Sequence, residues 1–185
     1  MITLTTNKLV CTLSLCVTLI LARAQCPQLV WADEFNGTTL DATKWTPQIG
    51  NGCDIGLCGW GNNELQYYTD KSTNLQVTGG NLLITARKER IQSNQYTSAR
   101  IRSLGKGEWT YGRMEARMKL PTGQGIWAAF WMLPTDEVYG GWPQSGEIDI
   151  MEHVGYDPEK VHFNLHAKAF YGANGKGGSM MIPGA

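Results

Sequence analysis

Three observations predict an all-β sandwich for this chain of 185 residues. Several stretches alternate apolar and polar residues with strict period two, the spacing of a half-buried strand. Glycine- and asparagine-rich turns separate them, and the chain holds 22 Gly. No stretch carries three turns of an amphipathic helix, and nothing repeats at a fixed period.

The first element in chain order is a leader, not a strand. Lys8 precedes a mostly apolar run from Leu9 to Leu21, and Ala22-Arg23-Ala24 supplies a small-x-small cleavage pattern. The run is shorter than the ~20 residues of a membrane-crossing helix and carries two threonines and a serine. A retained anchor is the alternative reading. Residues 1–24 are therefore expected to be a signal peptide and 25–185 the mature part. Of 5 Cys, Cys11 and Cys16 leave with the leader. Cys53 and Cys58, five apart in a glycine-rich loop, are placed to close a small ring in an oxidising compartment. Cys26 is then odd, either free or paired outside this chain.

Residues 82–86 follow a Gly79-Gly80-Asn81 turn and read as a buried strand. Along residues 111–120, Met114, Ala116, Met118 and Leu120 alternate with Arg113, Glu115, Arg117 and Lys119, which predicts a half-buried strand. The turn 121–125 leads into 126–133, where Trp127, Ala129 and Trp131 share a face. A loop over 134–145 precedes the run 147–154. Residues 161–166 alternate Val161, Phe163 and Leu165 with His162, Asn164 and His166. Residues 172–185 are glycine-rich and read as ending without a terminal strand. Seven or eight strands result, few for two full packed sheets, so a partial domain is expected.

Composition narrows the function. The whole chain has 16 basic and 16 acidic residues, and without the leader's Lys8 and Arg23 the net charge is −2. Nucleic-acid and anionic-membrane partners call for a basic surplus and are disfavoured. With 7 Trp, 7 Tyr and 4 Phe the chain is too aromatic for a disordered segment.

The chemistry concentrates in Gly146-Glu147-Ile148-Asp149-Ile150-Met151-Glu152-His153. In a regular strand Glu147 and Asp149 share a face, Ile148 and Ile150 face the core, and Glu152 points the wrong way. One extra residue around Ile150-Met151, a β-bulge, returns Glu152 to the side of the other two acids. In a helix Glu147 and Asp149 would diverge. After the bulge the Cα atoms of Glu147 and Glu152 are roughly 13 Å apart, a gap that inward-leaning side chains narrow. Retaining glycoside hydrolysis needs two carboxyls ~5–5.5 Å apart. Three neighbouring acids cannot all ionise freely, so one should titrate high, as a general acid requires. The competing readings are a solvated acidic edge and a metal site built with His153. His162 and His166 would be a zinc pair on a helix, but the alternation around them argues a strand. Trp127, Trp131 and Trp142 offer platforms for sugar rings if exposed, and core packing is the plainer reading for any one of them. Trp142 stands out, in a Gly140-Gly141-Trp142-Pro143 loop five residues before Glu147.

These residues resemble a known family. The run Glu147-Ile-Asp149-Ile-Met-Glu152 is similar to the catalytic strand of family 16 glycoside hydrolases, in the bulged form of the laminarinase-like branch. So are Trp31-Ala-Asp-Glu-Phe-Asn-Gly37, Gly59-Trp-Gly-Asn-Asn-Glu-Leu-Gln-Tyr-Tyr-Thr69, Tyr96-Thr-Ser-Ala-Arg100, Tyr111-Gly-Arg-Met-Glu-Ala-Arg117 and Gly125-Ile-Trp-Ala-Ala-Phe-Trp-Met-Leu133. The resemblance spans almost all of 29–171. It implies a β-jelly-roll of two curved antiparallel sheets with a concave cleft, and further strands beyond Ala185. It also implies Glu147 as nucleophile, Asp149 as its assisting acid and Glu152 as acid/base. Arg100, Glu115, Arg117 and Asn62 (or Asn63) would line the glycone side, Trp127, Trp131 and Trp142 the aromatic subsites, and His162, Asn164 and His166 the polar strand beyond.

No catalytic cofactor is implied, though a structural calcium near Glu34 and Gly80, completed by an aspartate beyond Ala185, is. The expected activity is a secreted (periplasmic in a bacterium), monomeric endo-β-1,3-glucanase acting on laminarin-like or mixed-linkage β-glucans. A galactan hydrolase of agar or carrageenan type, a non-catalytic glucan-binding module and an inactive fragment are the alternatives.

Overall fold

Short β-branched and aromatic stretches broken by left-handed turn residues leave this chain little choice but strands. The computed structural model describes residues 28–182. The leader at 1–24 and Cys26 lie outside the described residues. Contacts divide the chain into Met1–Ala32 and Asp33–Ala185, and every element below belongs to the second unit.

In order, the strands are β1 (Thr46–Pro47), β2 (Gln66–Tyr68), β3 (Leu75–Thr78), β4 (Asn81–Ile84), β5 (Arg87–Ile91), β6 (Asn94–Ser98), β7 (Ile101–Arg102), β8 (Trp127–Met132), β9 (Glu147–Val154), β10 (Lys160–His166) and β11 (Lys176–Met181). Among the described residues, 3-10 turns accompany them at Cys53–Ile55, Cys58–Gly61 and Gly172–Asn174. The largest sheet runs β11-β10-β9-β8, all antiparallel. A three-stranded sheet β2-β6-β5 and the pairs β3-β4 and β1-β7 complete the described sheets.

Three expectations need correction. Residues 111–120 form no strand, although the alternation there is strict. Met114 and Leu120 are half-buried while Met118 is exposed. Period two reports which way side chains would point, whereas a ladder also needs a hydrogen-bonded neighbour, and among the described residues this segment has none. The strand after the Gly79-Gly80 turn forms as β4, but Leu83 and Ile84 are exposed.

The third correction is β11, which pairs with β10 over its whole length, Lys160 facing Met181 and Leu165 facing Lys176. Glycine hides it in the sequence and permits it in space. A Cβ on Gly177 would lie 1.9 Å from the Phe163 carbonyl oxygen, and one on Gly178 would lie 3.0 Å from the Phe163 ring. Only bare backbone fits so close to β10. The polar hairpin β5-β6 also escapes the alternation, because its charged residues point to both sides.

The apolar interior is small. Among the described residues Trp60, Leu75, Val77, Ala99 and Met151 are its buried hydrophobics. A satisfied polar knot sits with them. Asn74 accepts from Thr69 Oγ1 (2.6 Å) and donates to the Thr85 carbonyl (2.9 Å) and Thr97 Oγ1 (3.0 Å), so burial leaves no amide group unpaired. Cys53 and Cys58 form the expected disulfide. It closes the loop that delivers Trp60.

Candidate active site

Strand β9 lies between β8 and β10, and both ladders slip at the same place. Against β8, Phe130 faces Met151 and the next residue, Trp131, faces Asp149, so Ile150 has no partner. Against β10, His162 faces Glu152 and Asn164 faces Asp149, leaving Phe163 alone opposite Ile150 and Met151. Two residues against one is a β-bulge, at the position the acids required. Glu147, Asp149 and Glu152 consequently share a face with His162, Asn164 and His166 of β10 and with Ala129 and Trp131 of β8.

The opposite face differs from expectation. Ile148 does turn away from the acids, yet it is 46 % exposed, beside Leu165 at 46 % and Phe163 at 45 %. Met151 and His153 are the members buried there. His153 points away from the trio and its Nε2 lies 3.1 Å from the Pro158 carbonyl oxygen. This removes the metal-site reading built on His153.

Each acid is held by named neighbours. Glu152 accepts from the Trp127 indole N–H at 3.0 Å on one oxygen and from Asn164 Nδ2 at 2.9 Å on the other. Asp149, 5 % exposed, meets His166 Nε2 at 3.1 Å. Glu147 stands beside Asp149 on the same face of β9, opposite His166 in register. Burial, then the hydrogen bond and charge of Asp149, push Glu147 up to about 7, while the Trp142 hydrogen bond pulls it down. Burial and the charge of Glu152 also raise Asp149, against the pull of Glu147 and His166. A hydrogen bond between two carboxyls requires one proton between them. The rise expected of a crowded trio thus falls on the Glu147–Asp149 pair, since these two share burial and a proton.

Glu147, Asp149 and His166 bring polar atoms within 4.8 Å of one another. Three polar groups that close can share a proton, and His166 Nε2 already meets Asp149 at 3.1 Å.

Arg100 sits beside the trio. Its guanidinium lies 4.2 Å from the Trp60 ring centre and 4.9 Å from that of Trp131, a cation held between two aromatic faces. Nε donates to Gln48 Oε1 at 2.7 Å. Burial lowers its pKa and the charge of Arg102 adds to that, while the charges of Tyr68, Glu64 and Glu147 act against it.

Arg100, Trp127, Trp131, Trp142, Asn164 and His166 are therefore gathered with the acids. His162 is opposite Glu152 in register, with its Nε2 3.8 Å from Asp157. Asn62 lies in an exposed turn, 3.5 Å from Glu64. Glu115 pairs with Arg113 at 2.6 Å on the exposed 111–120 segment, and Arg117 is exposed on the same segment. None of these last three shows a contact with the trio.

Sequence reasoning missed Trp60 and Gln48, which brace Arg100, and Tyr171, which packs edge-on to Trp142 with centroids 5.6 Å apart. The Trp60 neighbourhood carried a signal, a tryptophan fenced by Gly59 and Gly61. Trp60 itself has a left-handed φ of 51°, a strained conformation for a large side chain.

At the calcium position implied for Glu34 and Gly80, a Cβ on Gly80 would lie 3.8 Å from Asn36 Oδ1. That amide oxygen is a hard oxygen donor of the kind calcium takes.

Comparison with known proteins gives the same answer as the geometry. The chain is 49 % identical over 164 residues to "Beta-glucanase" of Rhodothermus marinus, covering 85 % of this chain and 55 % of that protein. It is 46 % identical over 147 residues to "Glucan endo-1,3-beta-glucosidase A1" of Niallia circulans, covering 75 % of this chain and 22 % of that one. Among solved structures, the catalytic domain of an endo-1,3-beta-glucanase (laminarinase) from Thermotoga petrophila RKU-1 superposes with a TM-score of 0.81 at 44 % identity. That match covers 86 % of this chain and 64 % of the other. The chain therefore spans roughly half to two thirds of the Rhodothermus and Thermotoga proteins it resembles. Residues 58–180 match the model of the glycosyl hydrolases family 16, and with the bulged acid strand lying inside that match, the chain belongs to this family and has its all-β jelly-roll fold.

Proposed function

We propose that the chain carries the catalytic strand of a retaining endo-β-1,3-glucanase acting on laminarin-like or mixed-linkage β-glucans. The supporting observation is the bulge at Ile150–Met151, which puts both glutamates on one face of β9. Glu147, with the shared proton on Asp149, attacks the anomeric carbon while a protonated Glu152 gives its proton to the leaving oxygen. The bond formed is Glu147 Oε to C1, and the bond broken is C1 to the glycosidic oxygen. Glu152, then a carboxylate, takes a proton from the water that releases the sugar. Trp127 and Asn164 fix the orientation of Glu152 in both steps. His166 steadies Asp149.

Trp127 and Trp142, half-exposed beside the acids, and Trp131 under Arg100 are the proposed sugar platforms. Asn62, Glu115 and Arg117 join the cleft in this reading only as more distant glycone contacts. The three named relatives, titled a beta-glucanase, a glucan endo-1,3-beta-glucosidase and an endo-1,3-beta-glucanase (laminarinase), support glucan over galactan. Reducing-sugar release from laminarin, lichenan, agarose and carrageenan tests the reading. Release from the two glucans is expected, whereas activity confined to a galactan, or glucan binding without hydrolysis, overturns it.

Export follows from the leader pattern at 1–24, and the Cys53–Cys58 disulfide suits an oxidising compartment. A mature N-terminus at Gln25 in the culture medium is expected; an intact Met1 on a cell-retained protein would contradict it. The protein works as a monomer on polysaccharide, with no nucleic-acid partner. Calcium near Glu34, Asn36 and Gly80 is structural in this account. A rise in melting temperature on calcium addition, cancelled by a chelator, is expected, and no rise would argue against the ion.

A further inference from the structure

An arginine side chain carries five N–H donors in a planar fork. In Arg100 the Nε–H goes to Gln48 Oε1 at 2.7 Å, a partner 52 positions away in sequence. Among the described residues no hydrogen bond or ion pair engages the four N–H of its terminal nitrogens. The faces of the fork are taken as well. Its central carbon lies over the Trp60 ring at 4.2 Å and over the Trp131 ring at 4.9 Å. Trp131 stands opposite Asp149 in the β8–β9 ladder, so the fork sits on the acid-bearing side of the sheet.

Gln48 is fastened to Arg100 twice. Its backbone N–H donates to the Arg100 carbonyl at 2.8 Å, one step beyond the β1–β7 pairing of Pro47 with Ile101. Its side chain then reaches the guanidinium of that same residue. The stacking ring is tied down close by. Gly50 accepts from the Trp60 indole N–H at 3.4 Å. The N–H and carbonyl of Gly50 exchange hydrogen bonds with Tyr68 at 3.0 and 2.9 Å. Trp60 is buried and packs on Tyr68, ring centres 5.6 Å apart. Residues 48–50 thus hold the arginine by its main chain, by its Nε and, through Trp60, by one face.

An arginine free to swing has to be immobilised when it grips a ligand, and that ordering weakens binding. Here the ordering is already done in the free protein. We infer that Gln48 is a positioning residue: by taking the Arg100 Nε–H it fixes the plane of the guanidinium, so that the terminal N–H edge is held still beside the acids to donate to hydroxyl oxygens of the substrate. Gln48 acts through Arg100 and not by contact with sugar. The consequence for substrate rests on the glucanase reading, whereas the fixing of the guanidinium does not.

The test has two readouts on the full chain. In a nitrogen-15 spectrum the Arg100 Nε–H signal is assigned by its loss in Arg100→Lys. Gln48→Leu, close in size and without an acceptor, is expected to exchange that proton with water roughly tenfold faster. Gln48→Glu, which keeps an oxygen in place, is expected to exchange it no faster than wild type. Wild-type exchange in Gln48→Leu overturns the inference, and so does faster exchange in Gln48→Glu. With laminari-oligosaccharides, Gln48→Leu is expected to raise KM roughly three- to tenfold and to leave kcat near wild type. Gln48→Glu is expected to restore KM. A fall in kcat at unchanged KM, or a Gln48→Glu KM as high as that of Gln48→Leu, overturns the positioning role. A chain that hydrolyses no glucan but shows the exchange difference would sink the glucanase reading and leave the fixing of Arg100 standing.

Discussion

Glu147 is the residue at which charge, burial and proposed chemistry meet. Its carboxyl ionises near 4.5 when free and at about 7 in the fold. The unfolded chain therefore gives up this proton first as pH rises. The stabilisation linked to the raised value is full below about pH 4.5 and is lost as pH climbs through about 7. Glu147→Gln cannot ionise, so it should melt higher than wild type at about pH 8.5 and show no such gain at about pH 4, a difference read by circular dichroism. Equal differences at the two pH values would contradict the burial and pairing described for Glu147. The acids were legible in the sequence because a bulge is the one local device that puts residues 147, 149 and 152 together. Tyr171 and Gln48 were not, since each acts on a residue far away in sequence and neither lies in a pattern of its own.

At the level of the strand, alternation was legible where a neighbour exists on each side, as in β10. It misled along 111–120, where the alternation is equally clean and no ladder forms among the described residues. It was silent for β11, whose glycines carry no side chains to alternate. The close approach of Gly177 to Phe163 makes a direct prediction. Gly177→Ala forces a Cβ toward a carbonyl oxygen only 1.9 Å away, so β11 must shift off β10. Overpacking of this kind costs about 1–3 kcal/mol. A urea melt should show that loss, and a melt superimposable on wild type would mean the two strands are not so closely packed.

Over the whole molecule, the all-β class was legible from turns and period two, and the jelly-roll only from family resemblance. What no pattern could report is which apolar faces are covered. Ile148, Phe163 and Leu165 form an exposed apolar row on the sheet face opposite the acids, and such a row binds hydrophobic dyes. Residues 25–185 alone are expected to enhance anilinonaphthalene sulfonate fluorescence and to melt over a broad range. Absence of dye binding together with a sharp transition would show that row to be covered. The central claim, that a bulge aims Glu147 and Glu152 at one bond, is tested most directly by trapping. A 2-deoxy-2-fluoro laminari-oligosaccharide bearing a good leaving group, followed by peptide mass mapping, should leave the sugar attached to Glu147. Attachment to Glu152 or Asp149, or no covalent adduct while the leaving group is still released, would contradict it.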